Sequence, residues 1–241
     1  MGFGVIVATM VATLTAKVLK YDVNFTNKGL YGFNAALVGV AIMLFFKPVM
    51  ISWLLLILGS VLSTVLHHVF MKYNLPLFTF PFVVVTWLIF YSANYFLPEL
   101  KLESINNQLV VNDFAYVFRG FGQVIFQDKI LSGILFFIAV FISMPIAALY
   151  GLFGGVITAL LALVFDIPTD SIANGLWSYN AVLCAIAFAG NSFKDSIWVL
   201  SSVLLSFLIS MLLYNLMILP LTFPFVLASF MISLIKRKVT I

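Results

Sequence analysis

The sequence predicts an all-α membrane protein built from two inverted structural repeats of transmembrane helices, and three observations lead there. The first is composition: of 241 residues, 64% are hydrophobic and only 8% charged, with a mean hydropathy of +1.20. Soluble domains carry about a quarter charged residues. The second is duplication. "GLYGFNAALVGVA" (Gly29–Ala41) returns as "GLWSYNAVLCAIA" (Gly175–Ala187), 146 positions later, with six of thirteen residues identical. "TFPF" at Thr79–Phe82 returns at Thr222–Phe225, 143 positions later. The third is punctuation: one long polar stretch, 98–112 ("PELKLESINNQLVVN"), divides the chain into a first repeat, 1–97, and a second, 113–241.

The elements follow in order. The opening "MGFGVIVATM" lacks the positive n-region of a signal peptide and reads as the start of a spanning segment, 2–19. Apolar segments follow at 30–46, 49–70 and 79–97, each near the roughly 17–25 residues a bilayer crossing needs. Segment 79–97 starts at Thr79-Phe80-Pro81, and proline forbids a helix from continuing upstream, so it begins in mid-membrane. Segment 113–127 ("DFAYVFRGFGQVIFQ") carries Arg119 and two glutamines, which makes it too polar to face lipid and too apolar for an ordinary loop; a re-entrant pore helix fits. Five crossings come after it, near 130–144, 146–165, 175–191, 197–217 and 222–235, the last again starting at a threonine and a proline, Thr222 and Pro224. The first repeat thus has four crossings and the second a pore helix plus five.

Nine crossings place the termini on opposite sides, and the positive-inside rule orients them. With Lys236, Arg237 and Lys238 cytoplasmic, eight basic residues fall inside and four outside, while six of the eight acidic residues, Glu103 and Asp113 among them, fall outside. Gly29 then starts its segment inside and Gly175 outside, so the repeats are inverted. Inverted repeats with Gly/Pro-interrupted segments at matching places point to a substrate path.

Several function classes drop out. A single cysteine, Cys184, excludes an internal disulfide and any Cys-x-x-Cys metal or redox site. A net charge of +4 is too sparse for a nucleic-acid surface. No Asp, Glu, Lys or Arg falls in the middle of a proposed span, where ion-coupled carriers keep ionisable groups and intramembrane hydrolases need catalytic clusters. The expectation is therefore no enzyme, no cofactor and no metal, with a neutral solute moving passively. His67 and His68 read as interfacial residues at the end of their segment, beside Lys72.

The repeated residues allow two readings each. Phe33 and Leu37, like Tyr179 and Leu183, are four apart and share a helix face. They either pack helices or offer an aromatic plane and an aliphatic edge to a narrow slot. Asn34 and Asn180 either cap and cross-link helices or touch solute; polar groups in hydrocarbon need partners, which favours the cross-link. Thr79 and Thr222 serve as caps or as hydroxyls on a pore wall, beside Pro81 and Pro224. Gln123 offers an amide to solute or to a neighbouring helix, with Phe126 close by in "GQVIFQ". Gly151 and Gly155 form a small-xxx-small pair for close packing.

These phrases together resemble the urea transporter family. "LPLFTFPF" (Leu75–Phe82) fits the family's Leu-Pro-x-x-Thr-x-Pro-Phe throughout; "LPLTFPF" (Leu219–Phe225) has one residue fewer before its threonine; and "RGFGQVIFQ" (Arg119–Gln127) and the two Gly-Leu-aromatic-x-aromatic-Asn phrases also match. The resemblance implies passive, channel-like transport of urea by a homotrimer with one pore per subunit, multi-pass in the plasma membrane, with the C-terminus cytoplasmic. It implies slots at Phe33, Leu37, Phe126, Tyr179 and Leu183, and oxygen acceptors at Gln123, Thr79 and Thr222. Tyr179 stands where the family usually has phenylalanine. The first half shows no "GQVxF" before Gly4, so the expectation includes a missing N-terminal pore helix and first transmembrane helix. The competing readings are a facilitator of another small neutral amide or of ammonia, and a non-conducting truncated subunit.

Overall fold

Every backbone N–H and C=O that enters hydrocarbon needs an internal partner, and a chain this apolar meets that requirement with helices. The computed structural model describes residues 1–73, 75–76, 78–102 and 115–239, which fall in two units, Met1–Ile105 and Asn106–Ile241. Most of the expected linker, with Glu103 and Asp113, and Leu77 of the "LPLFTFPF" phrase lie outside the described residues.

The first unit contains α1 (Gly2–Val18), α2 (Val23–Asn27), α3 (Leu30–Phe45), α4 (Met50–Lys72) and α5 (Phe80–Phe96), followed by a 3-10 turn at Pro98–Leu100. Along α1 the buried residues are Gly4, Ala8, Ala12 and Ala16, a four-residue spacing that puts them on one face. That seam meets α3 so closely that a Cβ on Gly39 would stand 2.5 Å from the Gly4 carbonyl oxygen. The large side chains Phe3, Ile6, Met10 and Leu14 are left exposed on the other face. On α4 the buried stripe is Ser52, Leu56, Gly59, Ser60, Ser63, Thr64 and His67; the hydroxyls of Ser60, Ser63 and Thr64 turn back on carbonyls of their own helix, and that of Ser52 on the Lys47 carbonyl just before it.

The second unit contains α6 (Ala115–Gln123), α7 (Ile130–Ser143), α8 (Pro145–Val164), α9 (Thr169–Ala173), α10 (Tyr179–Phe188), α11 (Phe193–Asn215) and α12 (Phe223–Val239). The last five repeat the series α1–α5: α1 and α8 end 146 residues apart, at Val18 and Val164, and α5 and α12 start 143 apart, at Phe80 and Phe223. The turns repeat as well. Lys20 and Asp166 both adopt φ 54°, and Gly29 and Gly175 adopt φ 71° and 75°. Glycine reaches this left-handed region without the Cβ penalty, which favours it at the head of the repeated phrase.

Among the described residues three helices, Met50–Lys72, Pro145–Val164 and Phe193–Asn215, are long and apolar enough to cross a membrane. The expected segments recur as helices with three differences. The short helices α2 and α9 were not expected, because five residues of mixed polarity are too few to show a hydrophobic period; Asp22 caps α2 by accepting from the Asn24 and Phe25 amides at 2.8 and 3.2 Å. The segment expected at 175–191 is helical only over its ten residues Tyr179–Phe188, about 15 Å of rise, or half the hydrocarbon thickness. And His67, at the helix end, is turned inward: it is 5% exposed, on the buried stripe of α4.

Candidate functional site

In each unit an asparagine near the start of one helix, Asn34 in the second turn of α3 and Asn180 the second residue of α10, holds the start of the proline-led helix. Asn34 on α3 accepts from the Phe82 amide at Oδ1 (3.2 Å) and donates from Nδ2 to the Phe78 carbonyl (3.4 Å). Asn180 on α10 accepts from the Phe225 amide (3.2 Å) and donates to the Leu221 carbonyl (3.1 Å). The four backbone partners sit 143 residues apart in pairs, on either side of Thr79 and Thr222.

The local backbone explains why a side-chain clamp is needed there. The first turn of any helix has amides with no intrahelical acceptor. Pro81 and Pro224, each the second residue of its helix, remove one such donor and pre-set φ. Upstream, Phe78 and Leu221 adopt φ 41° and 45°, a bend that points their carbonyls at the asparagine. A buried amide with one acceptor and two donors satisfies both groups at once. Thr79 and Thr222 stand at these helix starts, both buried, with Pro81 and Pro224 buried beside them.

The surroundings of the two clamps differ. Behind Asn34, its second Nδ2 hydrogen goes to Nδ1 of His67 (3.2 Å). Beyond it lie Tyr31, whose hydroxyl meets His68 Nδ1 (3.2 Å), and Tyr21, stacked on His68 with ring centroids 3.6 Å apart. Burial pushes the Tyr21 phenol above its ordinary value, so it stays neutral. In the second unit the Tyr179 hydroxyl donates to the same Leu221 carbonyl that Asn180 uses. The positions matching Tyr21, Tyr31 and His68 are Ile167, Trp177 and Met211, part of an apolar cluster with Ile172 and Phe207.

The slot candidates are placed unevenly. Phe33 is 54% exposed while Leu37, one turn on, is 4% exposed; sharing a face does not give them the same environment. Tyr179 is buried and Leu183 half-buried. Gln123, at the last turn of α6, is buried, and its Nε2 donates to the Asn174 carbonyl at 2.9 Å, which leaves Oε1 as its acceptor. Arg119 holds the same turn by donating to the Ala173 carbonyl at 2.9 Å. Phe126 is half-buried at φ 58°, in the left-handed turn that ends α6. Gly151 and Gly155 face α6: a Cβ on Gly151 would meet the Phe121 ring at 2.6 Å, and one on Gly155 would meet Val117 at 3.3 Å.

Sequence reasoning missed His67 and the carbonyls of Phe78 and Leu221. For His67 a signal was present, since it lies seven residues beyond Ser60 on the face that also carries Ser63 and Thr64. For the carbonyls there was none, because the backbone bend falls on residue types that do not announce it.

A family profile described as urea transporter matches residues 1–237. Among curated proteins, urea transporter 1 of Rattus norvegicus is 30% identical over 202 residues, covering 76% of this chain and 53% of the relative. The Mus musculus and Ovis aries proteins of the same name are 29% and 28% identical over the same coverage. The chain spans about half the length of the curated relatives it matches.

Proposed function

The chain belongs to the urea transporter family, and on that premise we propose that it carries urea passively across the membrane, in the manner of a channel. The observation that bears most weight is the duplicated clamp: two buried asparagines, each fixing a proline-led helix start beside a buried threonine. A buried polar arrangement written twice suits a solute that must be met by acceptors at more than one level. Urea is flat and uncharged, with N–H donors in its plane, and stripping those donors of water without replacement costs roughly 2–7 kcal/mol per polar group. Acceptors at Thr79, Thr222 and Gln123 replace water, while Phe33, Leu37, Phe126, Tyr179 and Leu183 supply flat apolar surface. Ions face a far larger desolvation cost and are turned away. Asn34, Asn180, Pro81 and Pro224 position these groups and do not touch solute themselves.

The family resemblance extends the reading to a homotrimer in the plasma membrane. The excess of basic residues at the C-terminal end and in the loops on its side favours a cytoplasmic C-terminus.

Stopped-flow light scattering on proteoliposomes tests the proposal. Urea flux that is fast, saturates only at high concentration and ignores collapsed proton or sodium gradients is the expected result. Thr79→Val and Thr222→Val should each slow it about tenfold, the cost of one lost hydrogen bond to solute, with assembly intact. Flux that depends on an ion gradient, or that both valine variants leave unchanged, overturns the reading.

A further inference from the structure

The clamp of the first unit has a component that the second lacks, and it is titratable. The Phe82 amide can only donate, so it fixes Asn34 with Oδ1 towards Phe82 and Nδ2 towards Phe78 and His67. His67 Nδ1 must therefore accept, which puts the ring proton on Nε2 and makes the neutral imidazole the form that fits. A proton on Nδ1 would face the Asn34 N–H directly. Turning the Asn34 amide over gives no relief, because Nδ2 would then confront the Phe82 N–H and Oδ1 the Phe78 carbonyl. No arrangement satisfies all four groups once the ring is charged.

We propose that His67 is a positioning residue for the solute path: neutral, it locks Asn34 and through it the start of α5 at Thr79, and on protonation it releases that start. The second unit has no such dependence. The position matching His67 is Ser210, whose hydroxyl donates to the Ser206 carbonyl at 2.9 Å, and the Asn180 clamp is braced by Tyr179 instead. A drop in pH therefore loosens one helix start and leaves the other fixed.

The groups around His67 do not offset this. On its own helix are His68 and, a turn on, Lys72. From α3 comes Tyr31, its ring centroid 5.4 Å from that of His67, with Asp22 near enough to act on that tyrosine. Tyr21 stacks on His68 rather than on His67. The last turn of α1 carries Lys17, exposed, and the start of α5 from Phe78 to Phe82 has no titratable side chain. Among the described residues no carboxylate is paired with His67, so charging it gains no salt bridge there in return.

The functional half of the inference rests on the urea-transport reading, so the test has two arms. In proteoliposomes with equal pH on both sides, wild-type urea flux should fall roughly fivefold or more from about pH 7 to about pH 3.5, a window below that of a free imidazole because the clamp and burial both favour the neutral ring, through the loss of one or more clamp hydrogen bonds. His67→Asn puts a carbonyl oxygen near the place of Nδ1 and does not titrate; its flux should change less than about twofold over the same range. His68→Gln should keep the wild-type response. A flat wild-type profile, or a response kept in His67→Asn and lost in His68→Gln, overturns the proposal. The second arm is the melting temperature of the detergent-solubilised chain against pH, which needs no transport. The neutral-ring clamp is lost as pH falls, so the wild-type melting temperature should drop more steeply than that of His67→Asn. Parallel curves refute the role of His67 even if urea flux is absent, whereas absent flux with diverging curves refutes only the transport reading.

Discussion

Replacing the two clamp asparagines by alanine should expose their different surroundings. Asn34→Ala withdraws three hydrogen bonds: the acceptor for the Phe82 amide and the donors to the Phe78 carbonyl and to His67 Nδ1. Asn180→Ala withdraws two, and one of its partners, the Leu221 carbonyl, keeps the Tyr179 hydroxyl. Hydrogen bonds between helices in a membrane protein are worth about 0.6 kcal/mol on average and about 1.7 at most. Three such bonds give roughly 2–5 kcal/mol for Asn34→Ala, with the long 3.4 Å contact to Phe78 pulling towards the lower end. One wholly lost bond and one shared bond give roughly 1–2.5 kcal/mol for Asn180→Ala. The assay is equilibrium unfolding of the purified chain in mixed detergent and SDS micelles, read by far-ultraviolet circular dichroism. Asn34→Ala should unfold at the lower SDS fraction. Equal loss in the two variants, or a larger loss for Asn180→Ala, would mean that the His67 contact contributes nothing and would refute the reasoning.

Other substitutions follow from the same geometry. Gly29→Ala meets no atom within 4 Å and should cost only the left-handed backbone penalty, about 1–2 kcal/mol; Gly175→Ala meets the same penalty and also the Gly120 backbone nitrogen at 2.5 Å, so it should cost clearly more and loosen α6, as the same SDS titration would report. Tyr179→Phe restores the residue usual in the family and removes one donor from a carbonyl that Asn180 still serves, so the loss should be about 0.5–1.5 kcal/mol, and stopped-flow discrimination between urea and thiourea should stay within about twofold of wild type. Ser192→Ala breaks the capping box in which its hydroxyl accepts from the Asp195 amide at 3.2 Å, and should cost about 0.5–2 kcal/mol in the same unfolding assay.

What could be read in the sequence was whatever the backbone imposes on residue type. A left-handed residue at 29 and 175 calls for glycine, a helix start at 80 and 223 welcomes proline at the next position, and first-turn amides that need a partner from outside their helix invite asparagine. Those demands recur in both units, so the same letters recur, and apolar runs between them marked the helices. Boundaries were poorer where composition and geometry part company: residues 175–178 are as apolar as a helix but turn, which cut the expected span at 175–191 to α10. The site was legible in its repeated members and illegible in the rest. His67 read as interfacial from its place near the helix end beside Lys72, and its register with Ser60, Ser63 and Thr64 turns it inward, where Asn34 supplies the hydrogen bond that polarity requires. The bends at Phe78 and Leu221 put large apolar side chains at positive φ, which no residue preference foretells.

Duplication explains the likeness of the two clamps, but the differences carry as much physical content. Where the second unit packs Ile167, Trp177 and Met211, the first has Tyr21, Tyr31 and His68, and where the second braces its asparagine from in front with the Tyr179 hydroxyl, the first braces it from behind with His67. Position 179 in one unit and position 67 in the other thus solve one problem, how to keep a buried amide from turning. A tyrosine hydroxyl on a carbonyl solves it without regard to pH near neutrality, since phenol titrates near 10. An imidazole nitrogen that must accept solves it only while neutral. Two copies that began with the same letters therefore hold the same helix start under different conditions, and the chain as a whole inherits the narrower of the two.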